Sequence, residues 1–257
     1  MTPFGERLYL STIADDACAL AREWGLGLEL ADFCAASNMD EGFPAAEPAL
    51  RRELASAKRF VFHAPFSELC PAAVDPLAVE LARKRYRQAA ALARRCGAAR
   101  MVVHSGYIPL IYYKSWFLDR SVGFWRDFLR AEPDLTLLLE NVMEDSPELP
   151  AQIAAGVDDP RFRLCLDVGH ANTRVSDVPP EEWVGAFAPY LAHVHLHSND
   201  GDMDLHAPLG EGTVDVPEIL RRAERACPDV TYTVENMHAE PSVRWLAENG
   251  YLRRPKC

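Results

Sequence analysis

Short apolar runs rich in β-branched and aliphatic residues alternate with longer amphipathic stretches along the whole chain. Eight such runs read as strands: RLYLSTI (7–13), GLELADF (27–33), RFVFHAP (59–65), ARMVVHS (99–105), TLLLENV (136–142), RLCLDVG (163–169), AHVHLHS (192–198) and TYTVENM (231–237). Helix-like segments lie between them. In DPLAVELARKRYRQAAALARRC (75–96), Leu77, Leu81, Tyr86, Ala89 and Leu92 fall on one face and Arg and Lys on the other. Strand-helix alternation repeated eight times predicts a parallel sheet closed into an α/β, single-domain (β/α)8 TIM barrel spanning 1–257. The competing open, doubly wound sheet calls for a glycine-rich turn after its first strand, and STIADDACAL contains no G-x-G-x-x-G.

Composition narrows this picture without redirecting it. A length of 257 residues suits one such barrel, and 49% hydrophobic with 25% charged residues is ordinary for a globular chain. No apolar run approaches the roughly 20 residues of a membrane-spanning helix, and the start MTPFGERLYL lacks the pattern of a secretory signal, so the expectation is a cytoplasmic protein with no membrane partner. Seven scattered cysteines (Cys18, Cys34, Cys70, Cys96, Cys165, Cys227, Cys257) form no C-x-x-C pair, which argues against a disulfide framework and a zinc-thiolate site. A formal net charge of -11 disfavours polyphosphate partners such as DNA, although bound cations would offset it locally.

Candidate chemistry lies at the strand ends. His63 closes RFVFH, His104 closes RMVVH, Glu140 follows TLLL, Asp167 follows RLCL, His195 lies in HVHLH and Glu235 follows TYTV. In a (β/α)8 barrel these ends converge on one mouth. Carboxylates gathered there repel one another and resist ionisation unless a positive charge offsets them, so a divalent metal is implied. Imidazole with carboxylate suits Zn, Mn, Fe or Co rather than Ca, with zinc or manganese foremost. Two loops extend the set: LDVGHANT places His170 three residues after Asp167, and HVHLHSNDGDMDLHAPLGEG carries Asp204 and His206 before a Gly210-Glu211-Gly212 turn. His193 and His197 share strand parity with His195, and supporting roles beside the metal site are expected for both. His238 and Asp200 lie close to these motifs and are expected beside the ligands or in solvent. The stretch YIPLIYYKSWFLDR (107–120) reads as a substrate-covering loop or the start of a helix, with Tyr107, Tyr112, Tyr113 and Lys114 as substrate-contact candidates.

From the third strand to the eighth, these motifs resemble the xylose isomerase-like, or AP endonuclease family 2, barrel superfamily. That resemblance implies either sugar isomerases and epimerases with one metal, or endonuclease IV-like enzymes with three zinc ions that cut DNA at abasic sites. The one-metal set resembles Glu140, Asp167, His195 and Glu235. The endonuclease-like set adds His63, His104, His170, Asp204 and His206, and all nine positions carry matching residue types. Where resembling ketose 3-epimerases carry an arginine after the seventh strand, this sequence has Asp204 and His206. The reading that follows is isomerisation or epimerisation of a small sugar or sugar phosphate, with Glu140 and Glu235 as metal-bound acid and base. The alternatives are phosphoester or phosphodiester hydrolysis by a two- or three-zinc cluster, with DNA as a less favoured partner, and a sugar-binding sensor without turnover.

Overall fold

The computed structural model describes residues 2–254; Cys257 lies outside the described residues. Eight parallel strands close into a barrel in chain order: β1 (Leu8–Ser11), β2 (Gly27–Leu30), β3 (Phe60–His63), β4 (Arg100–His104), β5 (Thr136–Glu140), β6 (Phe162–Asp167), β7 (Leu191–Leu196) and β8 (Thr231–Val234). The helices α1 (Ala17–Trp24), α2 (Phe43–Leu54), α3 (Pro76–Arg95), α4 (Lys114–Ala131), α5 (Glu148–Val157), α6 (Pro180–Phe187), α7 (Val216–Ala226) and α8 (Glu240–Glu248) surround it. The chain is thus the single (β/α)8 barrel that its periodicity predicts. Each strand stops one to three residues before the end of its apolar run. The residues left over, such as Ser105 and Asn141, bond to loop groups instead of the sheet ladder.

Helix boundaries follow local chemistry. Asp75 caps α3 by accepting the Leu77 N–H at 2.8 Å, Pro76 opens the helix, and Arg94 and Arg95 end it. Its predicted apolar face is only partly buried. Tyr86, Ala89 and Leu92 pack inward, whereas Leu77 and Leu81, in the first turns of α3, are exposed.

Strand parity divides the side chains. Leu28 and Leu30, Met101 and Val103, Leu137 and Leu139, and Leu164 and Leu166 face outward into one continuous core beneath the helices. The alternate positions enter the lumen, where Tyr9, Val61, Val102, Leu138 and Cys165 form a separate apolar layer. Two residues further along β3, β4, β5 and β6 the same parity delivers His63, His104, Glu140 and Asp167. On β7 the register slips by one residue between Leu164 and Cys165 of β6, so that Cys165 pairs with His193 and Asp167 with His195. All three histidines of HVHLH are fully buried.

Candidate active site

The lumen layer beneath the mouth is polar on one side. Glu29 of β2, fully buried, lies with one oxygen 3.1 Å from His193 Nε2 and accepts the Thr233 hydroxyl at 2.6 Å. Its other oxygen stands 3.0 Å from His195 Nε2. Sequence reading missed Glu29; its signal is a lone carboxylate at an inward position between outward Leu28 and Leu30. His193 thus sits below the candidate ligands, as expected, and burial pushes it down to about 4 despite Glu29.

Above this layer the nine predicted residues come together in three adjoining groups. Donor atoms of Glu140, Asp167, His195 and Glu235 lie within 4.8 Å of one another, as do those of His63, His104 and Glu140, and those of His170, Asp204 and His206. Glu140 joins the first two groups: His63 Nε2 and His104 Nε2 stand 3.3 and 3.2 Å from the same oxygen, and His195 Nδ1 stands 3.4 Å from the other. His195 Nδ1 is also 3.0 Å from Glu235 and 3.5 Å from Asp167. Asp204 bridges His170 Nε2 at 3.3 Å and His206 Nε2 at 2.9 Å.

Backbone carbonyls orient these imidazoles. His63 Nδ1 faces Ala64 O at 3.0 Å, His170 Nδ1 faces Asn141 O at 2.9 Å, and His206 Nδ1 faces Glu235 O at 2.8 Å. Each Nδ1–H therefore donates outward and leaves Nε2 aimed into the site, the arrangement in which imidazole serves as a metal ligand. Asn141, also missed from the sequence, donates to Asp167 O at 3.0 Å and accepts the Asp167 N–H at 2.9 Å, fixing the carboxylate backbone. Cys34 Sγ lies 3.2 Å from His63 Nδ1, a closer approach to the site than a packing role predicts.

His197 sets both Asp167 oxygens 2.9 Å from its Nε2 and stacks on His206 with ring centroids 4.1 Å apart. It braces the candidate ligand Asp167 and also groups with His206 and Glu235. Gly169 makes this possible, since a Cβ there would fall 1.9 Å from the His197 ring. His238 is exposed and paired with Asp15, and Asp200 is exposed in the loop after β7. The stretch 107–120 is part loop and part helix: Tyr107 is buried, Tyr113 is exposed, and Lys114 opens α4 while pairing with Asp145.

The electrostatics of this arrangement suit a cation. Burial alone would raise Glu140 and Asp167, yet neighbouring histidines hold both carboxyls well below the usual range. His63, His170 and His195 are raised despite their burial, His170 chiefly by Asp167, and His206 is pushed up to about 9, chiefly by its bond to Asp204. Protonated imidazoles thus meet a demand for positive charge that a divalent ion would also meet. Both ring nitrogens of the fully buried His195 lack a well-aligned hydrogen-bond partner, as does one oxygen of Glu29, so the donor set fits a metal.

The rim differs from the centre. The segments that follow the eight strands (12–16, 31–42, 64–75, 105–113, 141–147, 168–179, 197–215 and 235–239) contain one Lys or Arg among the described residues, Arg174, and it is paired with Asp202. No described helix is long and apolar enough to cross a membrane.

Comparison with known proteins accords with this architecture. The family model of the xylose isomerase-like TIM barrel matches residues 18–253. The uncharacterized protein MJ1311 of Methanocaldococcus jannaschii is 29% identical over 194 residues, 72% of this chain, and the match spans 66% of the relative's own length. Among solved structures, a D-tagatose 3-epimerase-like protein superposes with a TM-score of 0.74 over 95% of this chain and 96% of its own, at 23% identity, a likeness of fold. The TTHB071 protein of Thermus thermophilus, solved after soaking with ZnCl2, gives a TM-score of 0.74 over 95% and 98% at 26% identity.

Proposed function

The chain belongs to the xylose isomerase-like TIM-barrel family, and from that premise we propose that it is a divalent-metal-dependent isomerase or epimerase of a small, uncharged sugar or sugar derivative. The observation that carries this reading is the convergence of Glu140, Asp167, His195 and Glu235 within 4.8 Å at the barrel mouth. The D-tagatose 3-epimerase-like protein and the zinc-soaked TTHB071 support the substrate class and the metal. An uncharged substrate follows from the scarcity of Lys and Arg around the mouth, since phosphate recognition draws on such cations.

A bound divalent ion would polarise a substrate carbonyl and the neighbouring hydroxyl, lowering the cost of removing a proton from the adjacent carbon. Glu235 is the less crowded carboxylate, with His195 its one imidazole neighbour within 4.0 Å among the described residues, whereas His63, His104, His170 and His195 stand 3.2–3.4 Å from Glu140. Glu235 takes the proton from the carbon beside the carbonyl, and the electron pair passes to the carbonyl oxygen. A proton shared between the His63 imidazolium and Glu140, 3.3 Å apart, then returns to the opposite face of that carbon, which gives the epimer; for the isomer the hydroxyl proton on that carbon passes to the former carbonyl oxygen while the former carbonyl carbon takes the returned proton, so the carbonyl moves across. Glu29 keeps His195 in place from below. Solvent deuterium exchange at the carbon beside the carbonyl, across a panel of ketoses and aldoses with zinc- or manganese-loaded protein, tests this. Exchange that disappears in Glu235→Gln is expected; its absence for every sugar tried would overturn the reading.

One observation favours a second reading. His63 with His104, and His170 with Asp204 and His206, offer two further donor groups beside the central one, as phosphoester hydrolysis by two or three ions requires. Its signature would be two or three zinc ions per chain by mass spectrometry together with cleavage of abasic-site DNA. The nearly cation-free rim opposes a duplex, whose backbone is held by Lys and Arg.

A further inference from the structure

A cavity of about 330 Å³ opens beside the site, between the segments that follow β3 and β4. Phe66, Leu69, Tyr107, Ile108, Val142 and Met143 line it together with Ala73 and Ala78, and no Lys or Arg borders it among the described residues. Its polar lining includes Glu68 at the rim and the imidazole of His104. Phe66 stacks on that imidazole with centroids 4.3 Å apart and planes 10° apart, while His104 Nε2 stands 3.2 Å from Glu140. One ring therefore separates the apolar cavity from the carboxylate at the centre.

The cavity is built rather than incidental. Gly106 has φ +73, and a Cβ there would lie 2.8 Å from Leu69 O, so the two walls are locked together. Ser105 accepts the Tyr107 N–H at 3.0 Å and donates to the buried Glu144, which ties the β4 segment down. Glu68 and Leu110, one on each segment, hold the left-handed backbone that non-glycine residues rarely adopt. Against this fixed frame Phe66, Ile108 and Met143 remain 38%, 44% and 41% exposed, apolar surface that water does not satisfy.

We propose that this cavity is a binding subsite for an apolar substituent of the substrate, an aryl or short alkyl group, so that the protein acts on a neutral sugar conjugate that keeps a carbonyl away from the substituted carbon, in preference to the free sugar. The volume suits one aromatic ring, and the lining offers van der Waals contact without a charge to pair. The assignment of a sugar to the neighbouring centre rests on the function proposed above, whereas the apolar character of the cavity does not.

The test compares binding of p-nitrophenyl and methyl glycosides over a panel of hexoses, with p-nitrophenol as a sugar-free probe, by calorimetry and saturation-transfer NMR. We expect p-nitrophenyl glycosides to bind at least about tenfold more tightly than methyl glycosides, about the gain from burying part of one ring. Ala78→Phe, which fills the cavity from a half-buried helix position, should erase that difference and leave the methyl glycosides unchanged. Phe66→Ala should weaken the aryl ligands severalfold and guards against misfolding of the first variant. Equal affinities for the two glycoside series would overturn the subsite. If no glycoside binds but p-nitrophenol binds the wild type and not Ala78→Phe, the subsite stands and the sugar reading of the centre falls. If neither p-nitrophenol nor any glycoside binds, the subsite falls.

Discussion

Two layers of the same lumen, two residues apart along each strand, have opposite chemistry. The lower one holds Val61, Val102, Leu138 and Cys165, and the upper holds His63, His104, Glu140 and Asp167. The lower layer closes the barrel by packing, while the upper one gathers charge that packing cannot satisfy. The contrast teaches that the scaffold's stability and its chemistry occupy alternate rungs of one ladder. The Glu29, His193 and Thr233 sector is where the polar chemistry reaches down into the packing layer.

If the division is sound, changes in the upper layer should cost turnover and changes in the lower one should cost stability. The largest effect is expected from Glu140→Gln or Glu235→Gln: turnover falls by about 10³-fold or more in protein that still melts cooperatively. Steady-state kinetics beside a melting curve decide it, and full turnover in either variant breaks the comparison. Leu138→Ala, one rung below Glu140, should lower unfolding free energy by about 2–4 kcal/mol in urea titrations while the folded fraction keeps its turnover. Glu29→Gln sharpens the boundary between the layers. Its charge and its contacts orient His195, so metal affinity should fall about 10- to 100-fold, read by competition with a chelating dye.

The smallest effect concerns a buried carboxyl with no imidazole beside it. Glu53 of α2 is 5% exposed with one oxygen unpartnered, and burial with the nearby Asp32 pushes it up to about 8. The unfolded chain ionises this group near 4.5, so the folded form binds more protons between those values and stability falls as pH rises from about 4.5 to 8. Glu53→Gln should remove this slope and gain about 1–2 kcal/mol at pH 8 after allowance for solvent screening. Chemical denaturation at pH 5 and pH 8 checks the sign, and an unchanged slope would show that burial alone does not distinguish Glu53 from the mouth carboxylates.

The barrel was legible because the period-2 alternation of its strands and the amphipathic pattern between them are repeated eight times, and repetition outweighs ambiguity in any single run. The strand ends were read too long because apolar runs continue into residues that serve the loops, as with Ser105 and Asn141. Six of the nine candidate ligands were legible through their position at those ends, and His170, Asp204 and His206 through the two loops that follow β6 and β7. Glu29 was not, since a single acidic residue inside a four-residue strand carries no local sign that it meets His193 and His195 from strands some 160 residues away. The apolar cavity was half legible: the stretch 107–120 read as a substrate-covering loop or the start of a helix, and only the approach of the β3 segment shows what Tyr107, Ile108 and Tyr112 enclose.

The three imidazoles tethered through Nδ1 to Ala64, Asn141 and Glu235 carbonyls would govern how the mouth takes up a cation. With one nitrogen committed to the backbone, each ring has a single face at which a proton and a cation compete. A cation bound at these flanking nitrogens would therefore enter by exchange, expelling hydrogen ions into the medium, and acidification would drive the reverse. The mouth would then act as a coupled reservoir, its metal content set by the acidity of its surroundings.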